Sequence, residues 1–309
     1  MKVIFMGTPD FAVPSLEMLI KKGYDVRCVV TQPDKPQGRK MILTAPPVKK
    51  CAQENGIEVF QPIKIKEDAA FEKLKSFSPD LIVVVAYGKI LPKRILDLPK
   101  CGCINVHGSL LPKYRGAAPI QWSVIDGEEK TGVTTMYMDE GMDTGKMLLK
   151  KETNIGENET SEELYNRLSI IGAELLYDTI KGIESKSIVP QSQDESKATY
   201  AKILEKNMGK IDWSKDAKDI HNLIRGLNPW PIAFTKLNGK NIKIYKSLLS
   251  NVKGEKEGKI VSLSPLIVGC GNNTALEILE IQLEGKKRMT ARDFVIGNHI
   301  KEEDILGEK

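Results

Sequence analysis

Short apolar runs alternate with amphipathic stretches along the first third of the chain. The apolar, β-branched runs predict buried strands at residues 2–6, 26–31, 57–60 and 81–85. Apolar residues at helical spacing predict the intervening helices at residues 11–22, 47–54 and 67–75. Helices between buried strands are typical of crossover connections, so the pattern predicts an α/β fold with a Rossmann-like, doubly wound and mostly parallel sheet.

The middle of the chain predicts two further strands and one long helix. The strands are expected at residues 103–107 and 133–138, and the helix at residues 159–182. Thr160 and Glu163 have the spacing of a capping box at the start of that helix. Residues 190–196 are polar and predict a structureless linker.

After the linker the periodicity changes to short strands. One helix is predicted at residues 216–227, and Asn238-Gly239 predicts a tight hairpin between two strands. Several short strands in about 100 residues favour a small β-barrel. We therefore expect a first domain over residues 1–188, a linker over residues 189–205 and a smaller second domain over residues 206–309.

Composition narrows the class of protein. The 309 residues have ordinary charged and apolar fractions, and the longest apolar run, residues 81–86, is too short to cross a bilayer. No signal peptide is recognisable, so we expect a cytoplasmic protein that does not bind membranes. The five scattered cysteines favour buried apolar roles over disulfides; a metal site at Cys101 and Cys103 is the minor alternative, and we expect no metal.

The positive charge is concentrated at the C-terminal end. Residues 201–309 contain 19 basic and 14 acidic residues, which accounts for the whole net charge of +5. Within residues 206–253 the count is 10 basic against three acidic residues. Such a surface is suited to a polyanion partner, although a solvated lysine-rich surface is an equal alternative.

Residues 32–50 form a second basic segment. Its prolines interrupt any regular element, and it carries Lys35, Arg39 and Lys40. A long basic loop in a compact α/β domain is usually functional or disordered, so a surface loop without a function is the alternative.

The candidate chemistry follows the strand at residues 103–107. Asn105 and His107 lie two positions apart and share one face of that strand. A Gly-bounded loop carrying Asp143 follows the strand at residues 133–138. Taken singly, a buried Asn or His is more often a satisfied polar group, and Asp143 could simply cap a turn.

These groups are expected at one edge of the sheet. Ligands of open α/β sheets bind beyond the carboxyl ends of the strands, where Tyr87-Gly88, His107 and Asp143 would converge. The first βα turn, at residues 7–10, reads GTPD and lacks the G-x-G-x-x-G fingerprint, which argues against a dinucleotide.

The combined string resembles the 10-formyltetrahydrofolate-dependent formyltransferases. In that family an Asn, a His two residues later, an SLLP loop and a later Asp carry the reaction, and these match Asn105, His107, residues 109–112 and Asp143. The flanking sequences MGTPDF, TQPDKPQGR, HGSLLPKYRGAAPIQW, LNPWP and LEGKKRM resemble the members that act on methionyl-tRNA.

The resemblance implies a function, a co-substrate and a partner. It implies transfer of the formyl group of 10-formyltetrahydrofolate to the amino group of initiator methionyl-tRNA, for translation initiation, by a protein with an OB-like second domain. We expect a monomer. Around the folate it places Ser109, Leu110, Leu111, Pro112, Tyr87, Gly88 and Ile90. The basic residues that would bind tRNA are Lys35, Arg39, Lys40, Lys206, Lys210 and Arg225.

Formyl transfer to an amine demands stabilisation of a developing oxyanion more than it demands a strong base, because an α-amino group titrates near about 7.7–8.0. Asn105 donates through its amide, and His107 donates when protonated, a state that a nearby Asp143 carboxylate favours. Our hypothesis is that Asn105 and His107 hold the formyl oxygen, while Asp143 orients or charges His107 and relays a proton through water.

Three other functions remain open from the sequence. The catalytic domain could serve a small amine such as an amino sugar nucleotide, or it could hydrolyse formyl-folate. In both cases residues 32–50 and the basic second domain would have no purpose. The chain could also be a non-catalytic RNA-binding protein, which the intact set of Asn105, His107 and Asp143 argues against.

Overall fold

The computed structural model describes residues 1–38, 41–302 and 304–307, and divides into two compact units. The first unit consists of Met1–Gly116, Thr131–Thr153 and Tyr165–Tyr200. The second consists of Ala117–Lys130, Asn154–Leu164 and Ala201–Lys309. The second unit therefore includes two segments that precede the linker predicted from the sequence.

Within the described residues there are eight α-helices: α1 Val13–Lys21, α2 Pro47–Glu54, α3 Asp68–Ser76, α4 Lys93–Leu96, α5 Pro119–Ile125, α6 Ser161–Glu184, α7 Ala217–Gly226 and α8 Ala291–Asn298. The 3-10 turns are Asp10–Ala12, Glu195–Lys197 and Lys206–Gly209. The strands are β1 Lys2–Gly7, β2 Asp25–Val30, β3 Lys35–Gln37, β4 Ile42–Thr44, β5 Val59–Phe60, β6 Leu81–Val85, β7 Cys103–His107, β8 Arg115–Gly116, β9 Lys130–Tyr137, β10 Met147–Asn154, β11 Tyr200–Ala201, β12 Ala233–Leu237, β13 Lys240–Ser250, β14 Ile260–Leu263, β15 Leu266–Gly269, β16 Ala275–Leu283 and β17 Met289–Thr290.

A seven-stranded sheet in the order β10-β9-β7-β6-β1-β2-β5 forms the centre of the first unit. From β5 to β7 the neighbouring strands run parallel, and β9 then pairs antiparallel with β7. All five residues of β6 are buried, as expected for a parallel strand covered on both faces. The predicted mostly parallel sheet is confirmed, and β10 is an edge strand that the sequence pattern did not predict.

Residues 32–50 contain regular structure, contrary to the prediction from their prolines. β3 and β4 form a two-stranded antiparallel hairpin, with Lys35 paired to Thr44. Pro36 is tolerated because the sheet has only two strands, so its missing N–H faces no further neighbour.

The segment at residues 190–196 is also structured, so the prediction of a structureless linker is wrong. Gln191 forms a β-bridge with Met147, and Asp194 caps the 3-10 turn that follows it. Polarity misled the prediction because the main chain of Gln191 pairs with Met147, which is far away in the sequence.

The second unit contains an antiparallel sheet in the order β12-β13-β16-β15-β14, with β17 paired to β16. Asn238 and Gly239 have φ values of +49° and +75°, which the predicted tight hairpin between β12 and β13 requires. Helix α7 covers the buried face, where Ile220 and Ile224 join the core of this unit. The predicted second domain of short strands is confirmed, and its strands form an antiparallel sheet.

Histidine 221 lies on α7, and its side chain is buried in the second unit. It is 4% exposed, and its ring contacts Ser247 Oγ at 2.9 Å and the Glu157 carbonyl at 3.1 Å. No helix in the described part of the chain is long and apolar enough to span a bilayer.

Candidate active site

Strand β7 presents Asn105 and His107 on one face at the carboxyl-end edge of the sheet. Asn105 lies opposite Val84 of β6 and Met136 of β9. Its side chain is half-buried, and in the part of the chain that the structure describes its amide makes no hydrogen bond. An amide in this position is available as a donor to a ligand.

The imidazole of His107 is buried between two polar groups. Its Nε2 lies 2.9 Å from the Tyr114 carbonyl oxygen, and its Nδ1 lies 3.7 Å from Asp143 Oδ2. A carbonyl only accepts, so Nε2 carries a proton and donates to it. A formyl oxygen held by Nε2 would therefore take the place of the Tyr114 carbonyl.

Asp143 is held in a strained main-chain conformation. Its φ is +56°, a region that costs a non-glycine residue about 1–2 kcal/mol. The Gly116 N–H donates to its Oδ2 at 2.8 Å, so the carboxylate is fixed from one side by main chain and faces His107 from the other.

Glycine 145 closes the loop that carries Asp143. A Cβ at this position would lie 1.7 Å from the carbonyl oxygen of Tyr137, the last residue of β9. No side chain fits at that distance, so the loop returns against the strand only because this residue is glycine.

The loop at residues 109–112 is tied to its neighbours by side chains that sequence reasoning missed. The Thr134 hydroxyl donates to the Ser109 carbonyl at 2.7 Å and accepts from the Leu111 N–H at 3.1 Å. Lys150 Nζ donates to the Leu111 carbonyl at 2.5 Å, and burial lowers the pKa of that lysine. Leu111 packs with Met136 and Met147, as expected of a loop resting on apolar side chains (Met147 begins β10).

The candidate folate residues fall into two groups by exposure. The side chains of Ser109, Leu111 and Tyr87 are buried, and burial raises the pKa of Tyr87 to about 12. Leu110 and Pro112 are half-buried, while Gly88 and Ile90 are exposed. The buried group supports the loops from inside, and the second group is accessible to a ligand.

The candidate tRNA-binding residues also differ in exposure. Lys35, Lys206 and Lys210 are exposed, whereas Arg39 and Lys40 lie outside the described residues. Arg225 is only 7% exposed: its guanidinium donates to Asn222 Oδ1 and to the carbonyls of Gly156 and Glu159. Burial lowers its pKa, and a phosphate contact would require Arg225 to leave these partners.

A surface groove of about 510 Å³ lies elsewhere in the first unit, between α1, α2 and α6. Its lining includes Asp10, Glu17, Lys50 and Tyr165, but neither Asn105, His107 nor Asp143. Among the described residues there is no cluster of three or more metal-ligating side chains. Burial raises the pKa of the Cys103 thiol to about 12, as for a buried apolar cysteine.

Comparison of the sequence with family models gives two matches. Residues 1–180 match the model described as "Formyl transferase", and residues 203–299 match "Formyl transferase, C-terminal domain". Among curated relatives, the methionyl-tRNA formyltransferase of Alkaliphilus oremlandii is 53% identical over 311 residues and both chains are fully covered. That of Bacillus subtilis is 49% identical, with 99% of this chain and 98% of the relative covered.

Solved structures share the fold at lower identity. An N-formyltransferase from Helicobacter canadensis, in complex with folinic acid and dTDP-3-aminofucose, aligns with a TM-score of 0.67 at 22% identity over 90% of this chain and 98% of its own. A methionyl-tRNA formyltransferase from Clostridium thermocellum aligns with a TM-score of 0.57 at 20% identity, covering 82% of this chain and 95% of its own.

Proposed function

This chain belongs to the formyl transferase family and formylates initiator methionyl-tRNA with a folate-derived donor; from that premise we propose that Asn105, His107 and Asp143 carry the transfer. We further propose that the donor is 10-formyltetrahydrofolate and that no metal takes part. The observation that carries the site assignment is the contact between His107 and Asp143, beside an Asn105 amide that has no hydrogen-bond partner among the described residues.

The three residues have separate roles in this proposal. The methionine amine attacks the formyl carbon, the bond from that carbon to the folate nitrogen breaks, and the proton lost by the amine ends on the leaving nitrogen. Asn105 Nδ2 donates to the formyl oxygen as negative charge develops on it. His107 Nε2 donates to the same oxygen, and the Asp143 carboxylate stabilises the imidazolium and passes the proton through water.

The accessible loop residues suit a folate. Leu110 and Ile90 follow β7 and β6, which are adjacent and parallel, so their loops emerge at the same edge of the sheet. In this proposal Leu110, Pro112, Gly88 and Ile90 contact the pterin, while Ser109, Leu111 and Tyr87 support the two loops through their buried side chains and main chain.

The acceptor is held by basic residues in two parts of the chain. We assign tRNA contacts to Lys35, Arg39 and Lys40 in residues 32–50, and to Lys206 and Lys210 in the second unit. The exposure of Lys35, Lys206 and Lys210 supports this assignment. The burial of Arg225 argues for a structural role there instead.

The domain assignment remains part of the proposal. The two family matches support a catalytic domain over residues 1–188 and an OB-like tRNA-binding domain over residues 206–309, joined through residues 189–205. We propose that the protein is a monomer that acts in the cytoplasm, where charged initiator tRNA is used.

One assay separates this function from its alternatives. The protein is incubated with 10-formyltetrahydrofolate and, in parallel, charged initiator tRNA, free methionine, an amino sugar nucleotide or no acceptor. We expect formylated product on the tRNA alone. Product on the sugar nucleotide, or donor consumption without an acceptor, would identify the sugar-modifying or the hydrolytic alternative.

The Asn105→Ala variant tests the site itself. Loss of one oxyanion donor lowers turnover about 100- to 1000-fold, and we expect that loss with unchanged affinity for charged tRNA. Wild-type turnover of Asn105→Ala would remove Asn105 from this role.

A further inference from the structure

The segment from Gln191 to Tyr200 belongs to the first unit and is bonded to it through main chain. Gln191 and Met147 exchange two hydrogen bonds of 2.8 Å. Eight residues later the Thr199 carbonyl accepts from the Arg115 N–H, also at 2.8 Å. These bonds place the side chains between Gln191 and Thr199 beside the loop that carries Asp143.

The side-chain amide of Gln193 is fully bonded. Its Nε2 donates to the carbonyls of Asp143 and Gly145 at 2.7 and 2.9 Å. Its Oε1 accepts from Nε and Nη2 of Arg115 at 3.0 and 2.9 Å. Carbonyls only accept and a guanidinium only donates, so the amide has a single orientation that satisfies all four bonds.

Arg115 holds the Gln193 side-chain oxygen in place. Its side chain is fully buried, and its guanidinium donates to both carboxylate oxygens of Glu195, at 2.9 and 2.7 Å. The next residue, Gly116, donates its N–H to Asp143 Oδ2. Gly116 therefore holds the Asp143 carboxylate directly, and Arg115 holds the Asp143 carbonyl through Gln193.

We propose that Gln193 is a positioning residue for formyl transfer, because its amide fixes the main chain of Asp143 and thereby keeps the carboxylate 3.7 Å from His107 Nδ1. Asp143 has a φ of +56°, so a loop released from Gln193 relaxes toward a commoner conformation and turns the carboxylate away. The proposal rests on the roles assigned above to Asp143 and His107.

The kinetic test compares Gln193→Ala and Gln193→Glu with Gln191→Ala. Gln193→Glu keeps an oxygen that accepts from Arg115. It replaces the donating Nε2 by a carboxylate oxygen, which cannot donate to the carbonyls of Asp143 and Gly145. The control changes an exposed glutamine whose described bonds to Met147 come from its main chain. For both Gln193 variants we expect kcat to fall on the order of 10- to 100-fold with little change in KM for either substrate.

One amide resonance separates positioning from a general structural role. In the substrate-free protein, the Gly116 amide proton is expected to move upfield in both Gln193 variants, because its hydrogen bond to the Asp143 carboxylate weakens. Gln191→Ala should match the wild type in this measurement.

Two results would overturn the proposal: wild-type kcat in the Gln193 variants, or a reduced kcat with the Gly116 resonance unchanged. Gln193→Glu has the size of the native side chain and carries the same test if Gln193→Ala does not fold. Wild-type kcat in Asp143→Asn would instead refute the role of Asp143 in the proposed function. The Gly116 resonance still tests the positioning in that case, since it requires no turnover.

Discussion

Burial opposes a positive charge on the ring of His221 in the folded protein. In the neutral ring Nε2 donates to the Glu157 carbonyl, which can only accept, and Nδ1 accepts from the Ser247 hydroxyl. Burial lowers the pKa of His221 from its ordinary 6.5, and the Arg225 charge lowers it further, while the bond to Glu157 opposes the shift. Charging this ring inside the second unit is therefore unfavourable.

A pH dependence of stability follows from this lowered pKa. Below about pH 6.5 the unfolded chain binds a proton at His221 that the folded chain does not, so the free energy of unfolding falls as pH decreases from 6.5 toward the folded pKa. His221 contributes at most about 1.4 kcal/mol per pH unit to the slope of the free energy of unfolding against pH.

Denaturant titrations between pH 5 and 7 measure that slope. We expect His221→Gln to flatten it, and His299→Gln, which changes an exposed histidine, to leave it as in the wild type. An equal slope in His221→Gln and the wild type would show that other groups control it.

Hydrogen bonds hold the start of the hairpin of β3 and β4, and β4 exposes two apolar side chains. Lys49 Nζ donates to both Asp34 oxygens at 2.8 Å, and Gln61 donates to Oδ1 at the same distance. The hydrogen bonds from Gln61 and then Lys49 lower the pKa of Asp34. Ile42 and Leu43 are 61% and 66% exposed, and adjacent exposed apolar side chains form a patch of the kind that marks interaction sites.

We expect Ile42 and Leu43 of this hairpin to contact the charged tRNA. An Ile42→Ser/Leu43→Ser variant should raise KM for the tRNA about tenfold, the effect of losing roughly 1.4 kcal/mol of contact, and leave KM for the formyl donor unchanged. Steady-state assays with each substrate varied in turn measure both values, with Ile63→Ser, another exposed isoleucine, as the control. An equal KM for tRNA in the hairpin variant and the wild type would contradict the assignment.

Local signals in the sequence predicted elements well where the partner groups are near in the chain. Thr160 and Glu163 form the predicted capping box, with bonds of 2.8 and 3.3 Å. Helix α2 and strand β6 begin and end at the predicted residues. The hairpin of β3 and β4 was missed because its composition is that of a loop, and two short strands bury too little to leave a periodic pattern.

The sequence was sufficient to predict which residues form the site. It was not sufficient to predict which groups those residues contact. The spacing of Asn105 and His107 gave their shared strand face, and the family resemblance gave Asp143. The Tyr114 carbonyl on His107 has no signature in the residue pattern, and the roles of Thr134 and Lys150 beneath the loop at residues 109–112 are long-range contacts. Long-range contacts also explain Arg225: its charge suggested RNA, but its guanidinium bonds to two carbonyls more than 60 residues away.

At the scale of the whole molecule, the net charge of +5 resides in residues 201–309. Neutralising phosphates with such residues releases counterions, so the affinity for tRNA should fall steeply with salt. Each lost phosphate contact reduces the slope of log K against log salt concentration by roughly 0.7 to 0.9.

We expect Lys206→Ala/Lys210→Ala to bind charged tRNA more weakly and with a slope smaller by roughly 1.4 to 1.8. Lys66→Ala, which removes an exposed lysine from the first unit, should keep the wild-type slope. Filter binding or fluorescence anisotropy over a range of salt concentrations measures the slope for each variant. A double variant with an unaltered slope would mean that these lysines are merely solvated.

The collision that a Cβ at position 145 would make with the end of β9 also bears on how related genes are interpreted. Only glycine fits the main chain two residues after the aspartate. The sequence Asp-x-Gly therefore identifies this loop more selectively than the aspartate alone. A homologue that retains the carboxylate but places a larger residue at the third position must route its chain differently there. Its assignment as an active formyl-transferring enzyme should await a measurement.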